Sequence, residues 1–340
     1  MSPKEQIDQK LTRLPKFVDS FIKSIQDTSV NTQLAYLTDI EAFLGYLADC
    51  RNIPVSDVSV KCVGECDREF FDDYFFYMRE YEKEGAVRTN GPPGIRRKLA
   101  AIRGLTSYLY DRDLIPANPI TKVRVPKIKQ KPIERLKESE INSLLFTAEN
   151  GYGSQHHTNY LRNTKCRDLA IMAILLSTGI RVSELTNLNI KNVELESCSL
   201  KITRKGGNEQ IVFFGDDAAE YLADYLYIRS HITAAPGHED ALFLSMQRKR
   251  ISARSVQILL KNYGDAALPL RNLHPHLLRK TYGSRMYDET GDAYLVATLL
   301  GHQSVETTAK HYISSEKDVS EVRNKVPLSK GDAPLSNGSQ

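Results

Sequence analysis

Thr178-Gly179-Ile180-Arg181-Val182-Ser183-Glu184-Leu185 sets an arginine directly after a helix break, and the reading of the second half of the chain turns on it. Ahead of it, Cys166 to Thr178 is predicted to be helical. Ala170, Ile171, Ala173, Ile174, Leu175 and Leu176 make that helix nearly all apolar, as in a buried one. Gly179 is a natural stop. A new helix is predicted from Arg181 to Leu188, so Arg181 lies at a helix start, where an anion is already favoured. Glu184 is a candidate partner that orients it. Taken alone, an arginine there is more often an ordinary surface residue.

Moving towards the C-terminus, Leu200 to Arg204 and Gln210 to Phe214 are β-rich and flank Lys205-Gly206-Gly207-Asn208. This spacing predicts a β-hairpin with a glycine-containing turn. Helices are expected over Ala218 to Ser230, Ser252 to Tyr263, His276 to Thr290 and Ala293 to Leu300. His274-Pro275-His276-Leu277-Leu278-Arg279-Lys280-Thr281 places His276 and Arg279 three apart, on one helix face. One is a titratable imidazole and the other a planar fork of donors suited to a phosphate. Leu277 and Leu278 are expected to point into the core. Leu299-Leu300-Gly301-His302-Gln303-Ser304 sets a histidine after a glycine that ends an apolar helix. Tyr312 follows ten residues later in Thr307-Thr308-Ala309-Lys310-His311-Tyr312-Ile313.

Moving towards the N-terminus, Glu138 to Glu149 opens this domain, and a basic stretch precedes it. Thr121 to Lys137 holds seven positive residues against Glu134 alone, a net +6 in 17 residues, whereas the whole chain carries only +4. Pro116, Pro119, Pro126 and Pro132 fall in and beside it. Proline removes a backbone donor and disfavours helix in the residue before it, so the segment is expected to be extended. Lys122, Arg124, Lys127, Lys129 and Lys131 are candidates for contact with an anionic polymer, although a solvated linker would look the same.

Before the linker lie three amphipathic patterns: Thr32 to Asp49, the aromatic-rich Asp67 to Glu82, and Ile95 to Asp111. Ser29 or Asn31 is the expected cap of the first. None is stable alone; together they can bury one core. Arg96, Arg97, Lys98 and Arg103 occupy non-apolar positions of the third, a face that can track phosphates or simply meet water. The predicted organisation is a helical domain over 1–118, a basic linker over 119–137, a second domain over 138–326 and a polar, disordered tail over 327–340.

Five scattered cysteines, with Cys62 and Cys66 as the only close pair, fit reduced thiols and give no metal-ligand spacing. The N-terminus has no hydrophobic signal core, and no apolar run approaches the roughly 20 residues a membrane span needs. These features predict a cytoplasmic chain with no membrane partner.

Arg181, Lys205, His276, Arg279, His302 and Tyr312, in this order and in these local contexts, resemble the signature of tyrosine recombinases of the Xer and lambda-integrase type. That signature is an arginine in a "TGxRxSEL" segment, a hairpin lysine, an "HxxR" pair, an "LGH" histidine and a C-terminal tyrosine. The resemblance covers essentially the whole chain, since the N-terminal helical region is similar to the family's core-binding domain. Thr203-Arg204-Lys205-Gly206-Gly207 and Arg167-Asp168-Leu169-Ala170 further resemble the single-recombinase Xer proteins of Gram-positive bacteria. One departure concerns spacing: many members place the tyrosine nine residues after the "LGH" histidine. Here that position is His311, and a helix turns about 100° per residue, so Tyr312 must be re-aimed.

The resemblance implies a mainly α (α+β) fold, with a helical core-binding domain and a mostly helical catalytic domain holding a small antiparallel β-sheet. It implies Tyr312 as nucleophile, Arg181 and Arg279 on the scissile phosphate, His276 accepting the tyrosine proton, His302 bonding the phosphate or tyrosine oxygen, and Lys205 as general acid. A tyrosine of pKa near 10 needs such a cationic setting, since only about one in a thousand is ionised at pH 7. The arginines supply the positive charge, and no Walker loop or metal cluster is present in the sequence, so no cofactor is expected.

The implied partners are double-stranded DNA bearing a specific site and three further copies of this chain in a tetramer. Accessory proteins are possible additions. Strand exchange would run through a Holliday junction, with a C-terminal helix over Glu316 to Val326 docked on a neighbouring subunit. Two other readings stay open: a type IB topoisomerase-like enzyme, and a DNA-binding protein on the same scaffold that never cuts.

Overall fold

A computed structural model of the protein describes residues 1–83, 86–121, 123, 134–151, 158–204 and 206–301. The chain forms two compact units, Met1–Gln130 and Lys131–Gln340. No helix among the described residues is long and apolar enough to cross a membrane.

The first unit is built on α3 (Val30–Arg51), capped at its start by Ser29, whose Oγ accepts the Thr32 N–H at 3.2 Å. Leu37, Ile40, Phe43, Leu44 and Leu47 are buried along it, against Leu99, Ile102, Leu105 and Leu109 of α6 (Pro92–Tyr110). Each such side chain removed from water contributes about 1.5–3 kcal/mol. Two short helices precede this pair, α1 (Pro3–Leu11) and α2 (Lys16–Ser24). The start of α1 is a capping box: Ser2 accepts from the Glu5 N–H and Glu5 accepts from the Ser2 N–H.

α4 (Val60–Gly64) and α5 (Arg68–Arg79) complete the core, with Phe43 and Phe71 stacked at 5.9 Å. Here the structure departs from expectation. The aromatic-rich segment does not stay helical to Glu82. It leaves the helix at Glu80 and forms β1 (Glu80–Lys83), paired antiparallel with β2 (Ala86–Thr89). Asn90 closes this corner: its side-chain N–H donates to Met78 O at 2.8 Å and its backbone N–H to Arg79 O at 3.1 Å. The helix-end carbonyls of Met78 and Arg79 are satisfied by Asn90, beyond the hairpin, which no local periodicity reveals.

In the second unit, α8 (Thr158–Thr178) is the central helix, with Leu169 to Leu176 all buried. α7 (Glu138–Asn150), α10 (Asp216–Ser230) and α12 (Pro275–Thr290) pack against it. α11 (Ala253–Ala267) covers α7 and the one-turn α9 (Val182–Thr186). α13 (Ala293–Leu300) folds back on α12, burying Val296 and Leu300 beside Tyr282 and Met286.

A three-stranded antiparallel sheet stands at the side, in the order β3 (Val193–Glu194), β4 (Ser199–Thr203), β5 (Glu209–Phe213). Its register pairs Leu200 with Val212 and Ile202 with Gln210. The period of two turns Leu200, Ile202 and Val212 inward and leaves Lys201, Ile211 and Phe213 exposed. The short β3 was not foreseen from sequence. The mainly helical architecture with a small antiparallel sheet is the predicted one.

Candidate active site

Three arginines of the second unit meet at the C-terminal end of α13. Arg279 is 5% exposed and donates from Nη1 to Gly179 O at 2.6 Å and from Nη2 to Leu300 O. Arg181 donates from Nη2 to Gly301 O at 3.4 Å. Arg204 donates from Nη1 to Leu300 O at 3.3 Å and from Nη2 to Leu299 O at 2.8 Å. The last carbonyls of a helix have no partner within it and carry the negative end of its dipole, so a cation is favoured there. His302 is the next residue after this cluster.

One carboxylate ties two of the arginines together. Glu184, 5% exposed, accepts from Arg181 Nη1 at 2.9 Å and from Arg204 Nη1 at 3.0 Å. It also accepts from the backbone N–H of Arg181 at 2.8 Å. The helix start at Arg181 thus holds an anion from within the chain, the Glu184 carboxylate. The positive character comes from side chains: three guanidinium groups against the one Glu184 carboxylate. Of the first and third arginines of this group in chain order, Arg181 is the more open, with 39% of its side chain exposed, against 5% of the residue for Arg279.

Two glycines are needed here for definite reasons. Gly179 has φ +60°, and a Cβ on it would lie 2.4 Å from Tyr282 Cδ1. Gly301 has φ +62°, and a Cβ there would meet Arg204 Cζ and Nε at 2.9 Å. A left-handed residue with no room for a side chain leaves only glycine. The "TG" and "LGH" glycines therefore let the chain turn while the arginines stay against the helix end.

His276 and Arg279 both lie on α12, but with different surroundings. His276 is exposed in the first turn and Arg279 is buried, while Leu277 and Leu278 enter the core. The β4–β5 turn that carries Lys205 closes through Arg204 N–H to Asn208 O at 2.7 Å, with Gly206 and Gly207 at φ +95° and +86°. Lys205 itself, His302 and Tyr312 lie outside the described residues, as do the segments expected to be the C-terminal helix and tail.

Arg204 was not singled out from sequence. Its signal was the strand parity: Leu200 and Ile202 face inward, so residue 204 does too, and an inward arginine requires partners.

In the first unit, Arg96 is exposed, as a phosphate contact requires. Arg97 is partly exposed but bonds the buried Asp39 carboxylate at 2.9 Å. Lys98 corrects the expectation: it is 7% exposed and its Nζ lies 3.3 Å from Asp39 Oδ1, so it neutralises a core carboxylate instead of facing DNA. Arg103 is half-buried and donates to Val123 O at 3.1 Å. The linker candidates Lys122, Arg124, Lys127, Lys129 and Lys131 lie outside the described residues.

Residues 134–318, more than half of the chain, match the phage integrase family. The chain therefore belongs to that family, and its class is that of the tyrosine site-specific recombinases, enzymes that cut and rejoin DNA strands. It is similar to tyrosine recombinase XerS of Streptococcus thermophilus (strain CNRZ 1066), 29% identical over 92% of this chain and 96% of that protein. It is similar at 29% to tyrosine recombinase XerC of Caldanaerobacter subterraneus subsp. tengcongensis, over 96% of this chain and 91% of the other. Its fold matches that of the XerH site-specific recombinase in a post-cleavage complex with palindromic difH substrate. That match has a TM-score of 0.67 and 18% identity, over 90% of this chain and 83% of XerH.

Proposed function

We propose that Tyr312 is the nucleophile of this recombinase and that Arg181 and Arg279 hold the scissile phosphate. The observation that carries the reading is the convergence of both arginines on the carbonyls of Leu300 and Gly301, immediately before His302. A phosphodiester gains negative charge on its non-bridging oxygens as it is attacked. Guanidinium groups held in advance stabilise that charge without reorganising. The assignment requires Arg279 to become uncovered when DNA binds.

In the proposed step, Tyr312 Oη forms a bond to phosphorus as the bond from phosphorus to the 5′-oxygen breaks. The phenol proton passes to His276, and Lys205 gives a proton to the leaving 5′-oxygen. The 3′-phosphotyrosine stores the phosphodiester energy, so attack by a new 5′-hydroxyl reverses the step without ATP. The recombining assembly is proposed to be four copies on two sites, passing through a Holliday junction. The structures of XerH bound to its difH substrate and of the Tn1549 transposon integrase with circular intermediate DNA support a DNA site as substrate. Chromosome dimer resolution and integration or excision of a mobile element both use this chemistry.

The test is a suicide substrate, a nicked duplex carrying the site selected by this protein from random DNA. An SDS-resistant protein–DNA adduct is expected with the wild type and none with Tyr312→Phe. An adduct that survives that change moves the nucleophile to another tyrosine. Tight specific binding with no adduct from either protein supports a scaffold that binds without cutting.

A further inference from the structure

Arg204 is the residue before Lys205, and its side chain reaches three elements. Nε donates to Gln210 Oε1 at 2.8 Å on the partner strand β5. Nη1 donates to Glu184 Oε2 at 3.0 Å on α9 and to Leu300 O at 3.3 Å, while Nη2 donates to Leu299 O at 2.8 Å on α13. The side chain is 9% exposed, so these bonds are shielded from water, and its planar fork satisfies several acceptors at once. Its backbone is also the closing pair of the hairpin turn, with its N–H donating to Asn208 O and its carbonyl accepting from Gly207 N–H at 3.1 Å. Gly206 and Gly207 follow at positive φ, and a Cβ on either would meet nothing within 4 Å. At Arg204 the base of this tip meets the arginine cluster.

We infer that Arg204 is a positioning residue. It fastens the Lys205 hairpin to Glu184, the carboxylate that also orients Arg181, and to the helix end that leads into His302. This inference rests on the proposed role of Lys205 as general acid. Its role is to hold the base of the hairpin from which Lys205 acts on the 5′-oxygen. Removing it leaves Lys205 present and protonated but poorly placed, so protonation of the leaving group is the step that suffers.

The experiment uses the full chain and two nicked suicide substrates, one ordinary and one with sulfur replacing the bridging 5′-oxygen. A thiol is far more acidic than an alcohol, so the sulfur leaves without a proton. Arg204→Met is expected to slow cleavage of the ordinary substrate on the order of 10²-fold, as loss of general-acid action does. On the sulfur substrate most of that loss should disappear, as it should for Lys205→Ala. Arg279→Lys should remain slow on both.

Equal slowing of Arg204→Met on the two substrates, or wild-type rates on both, overturns the inference. Failure of the wild type to form an adduct on either substrate strikes instead at the proposed function. If Arg204→Met does not fold, Gln210→Ala decides. It removes one bond of the four, and a several-fold loss restored by sulfur supports the inference, whereas no change overturns it.

Discussion

Two buried cationic clusters, one in each unit, meet their partners in opposite ways. In the first, Asp39 is fully buried, and both Arg97 and Lys98 are drawn to it. The positive charge there answers a carboxylate of the core. In the second, Arg279 and most of Arg204 are buried against backbone carbonyls of Gly179, Leu299 and Leu300, with Glu184 as the one carboxylate. A carbonyl satisfies an N–H without cancelling its charge. The first arrangement holds helices together, and the second keeps a positive field next to the residues expected to act on a phosphate.

The largest effect should come from breaking the first arrangement. Asp39→Ala leaves buried Lys98 without its partner and is expected to cost about 3–5 kcal/mol of stability, read from urea unfolding of the full chain. Adding Lys98→Met should recover most of it, because a buried pair is often replaced by apolar groups at little cost. The cleavage rate of DNA already bound should stay near wild type in the double variant. A large loss of that rate would mean the pair serves the chemistry, and the contrast between the units would fail.

Next in size is Arg279→Lys, which keeps the charge but cannot span Gly179 O and Leu300 O in the same way. Loss of one preorganised donor to a developing oxyanion typically costs about 10²–10³ in rate, so single-turnover cleavage should fall by that order. Retention of full rate would show that the carbonyl-held guanidinium is only structural.

Gly301→Ala sharpens the comparison at the helix end itself. The left-handed backbone costs a non-glycine residue about 1–2 kcal/mol, and the new Cβ displaces Arg204. A lower melting temperature with slower cleavage is expected, whereas a lower melting temperature with unchanged cleavage would detach Arg204 from the chemistry.

The smallest effect concerns a charge pair at the edge of the second core. Arg271 donates to Glu140 at 2.8 Å and holds its carboxyl below the usual range, helped by the Lys137 backbone N–H. A depressed folded pKa means stability that is present above the unfolded value, about 4.3, and is lost as pH falls through the lowered folded value. Arg271→Gln should therefore lower stability at pH 7 by under about 1 kcal/mol, given the partial exposure of the pair. The difference from wild type should shrink on acidification below pH 4, which melting curves at both pH values would test.

How much of this was legible beforehand can be judged from particular elements. α8 and its stop at Gly179 were readable because an all-apolar helix followed by a glycine states both burial and termination locally. The β4–β5 hairpin was readable for the same reason, since alternation and a Gly-Gly turn are local. The β1–β2 hairpin was hidden, because the segment from Asp67 to Glu82 keeps helical spacing and only Asn90, beyond it, ends the helix. Lys98 follows Ile95 by three and precedes Ile102 by four, so helical spacing sets it on the apolar face, away from Arg96; what the sequence could not show is the carboxylate 59 residues away that makes a lysine tolerable there.

The same division holds for the site. Order and residue type along the chain determined the class of chemistry, since an arginine, a hairpin lysine, an HxxR pair, an LGH segment and a tyrosine are one-dimensional facts. The tertiary structure alone decided that Arg181, Arg204 and Arg279 share the end of α13 and that Glu184 joins two of them. It alone placed Lys98 against Asp39. The physical reason is range: turn and helix signals act within a few residues, whereas a buried charge takes its partners from whatever the fold brings beside it.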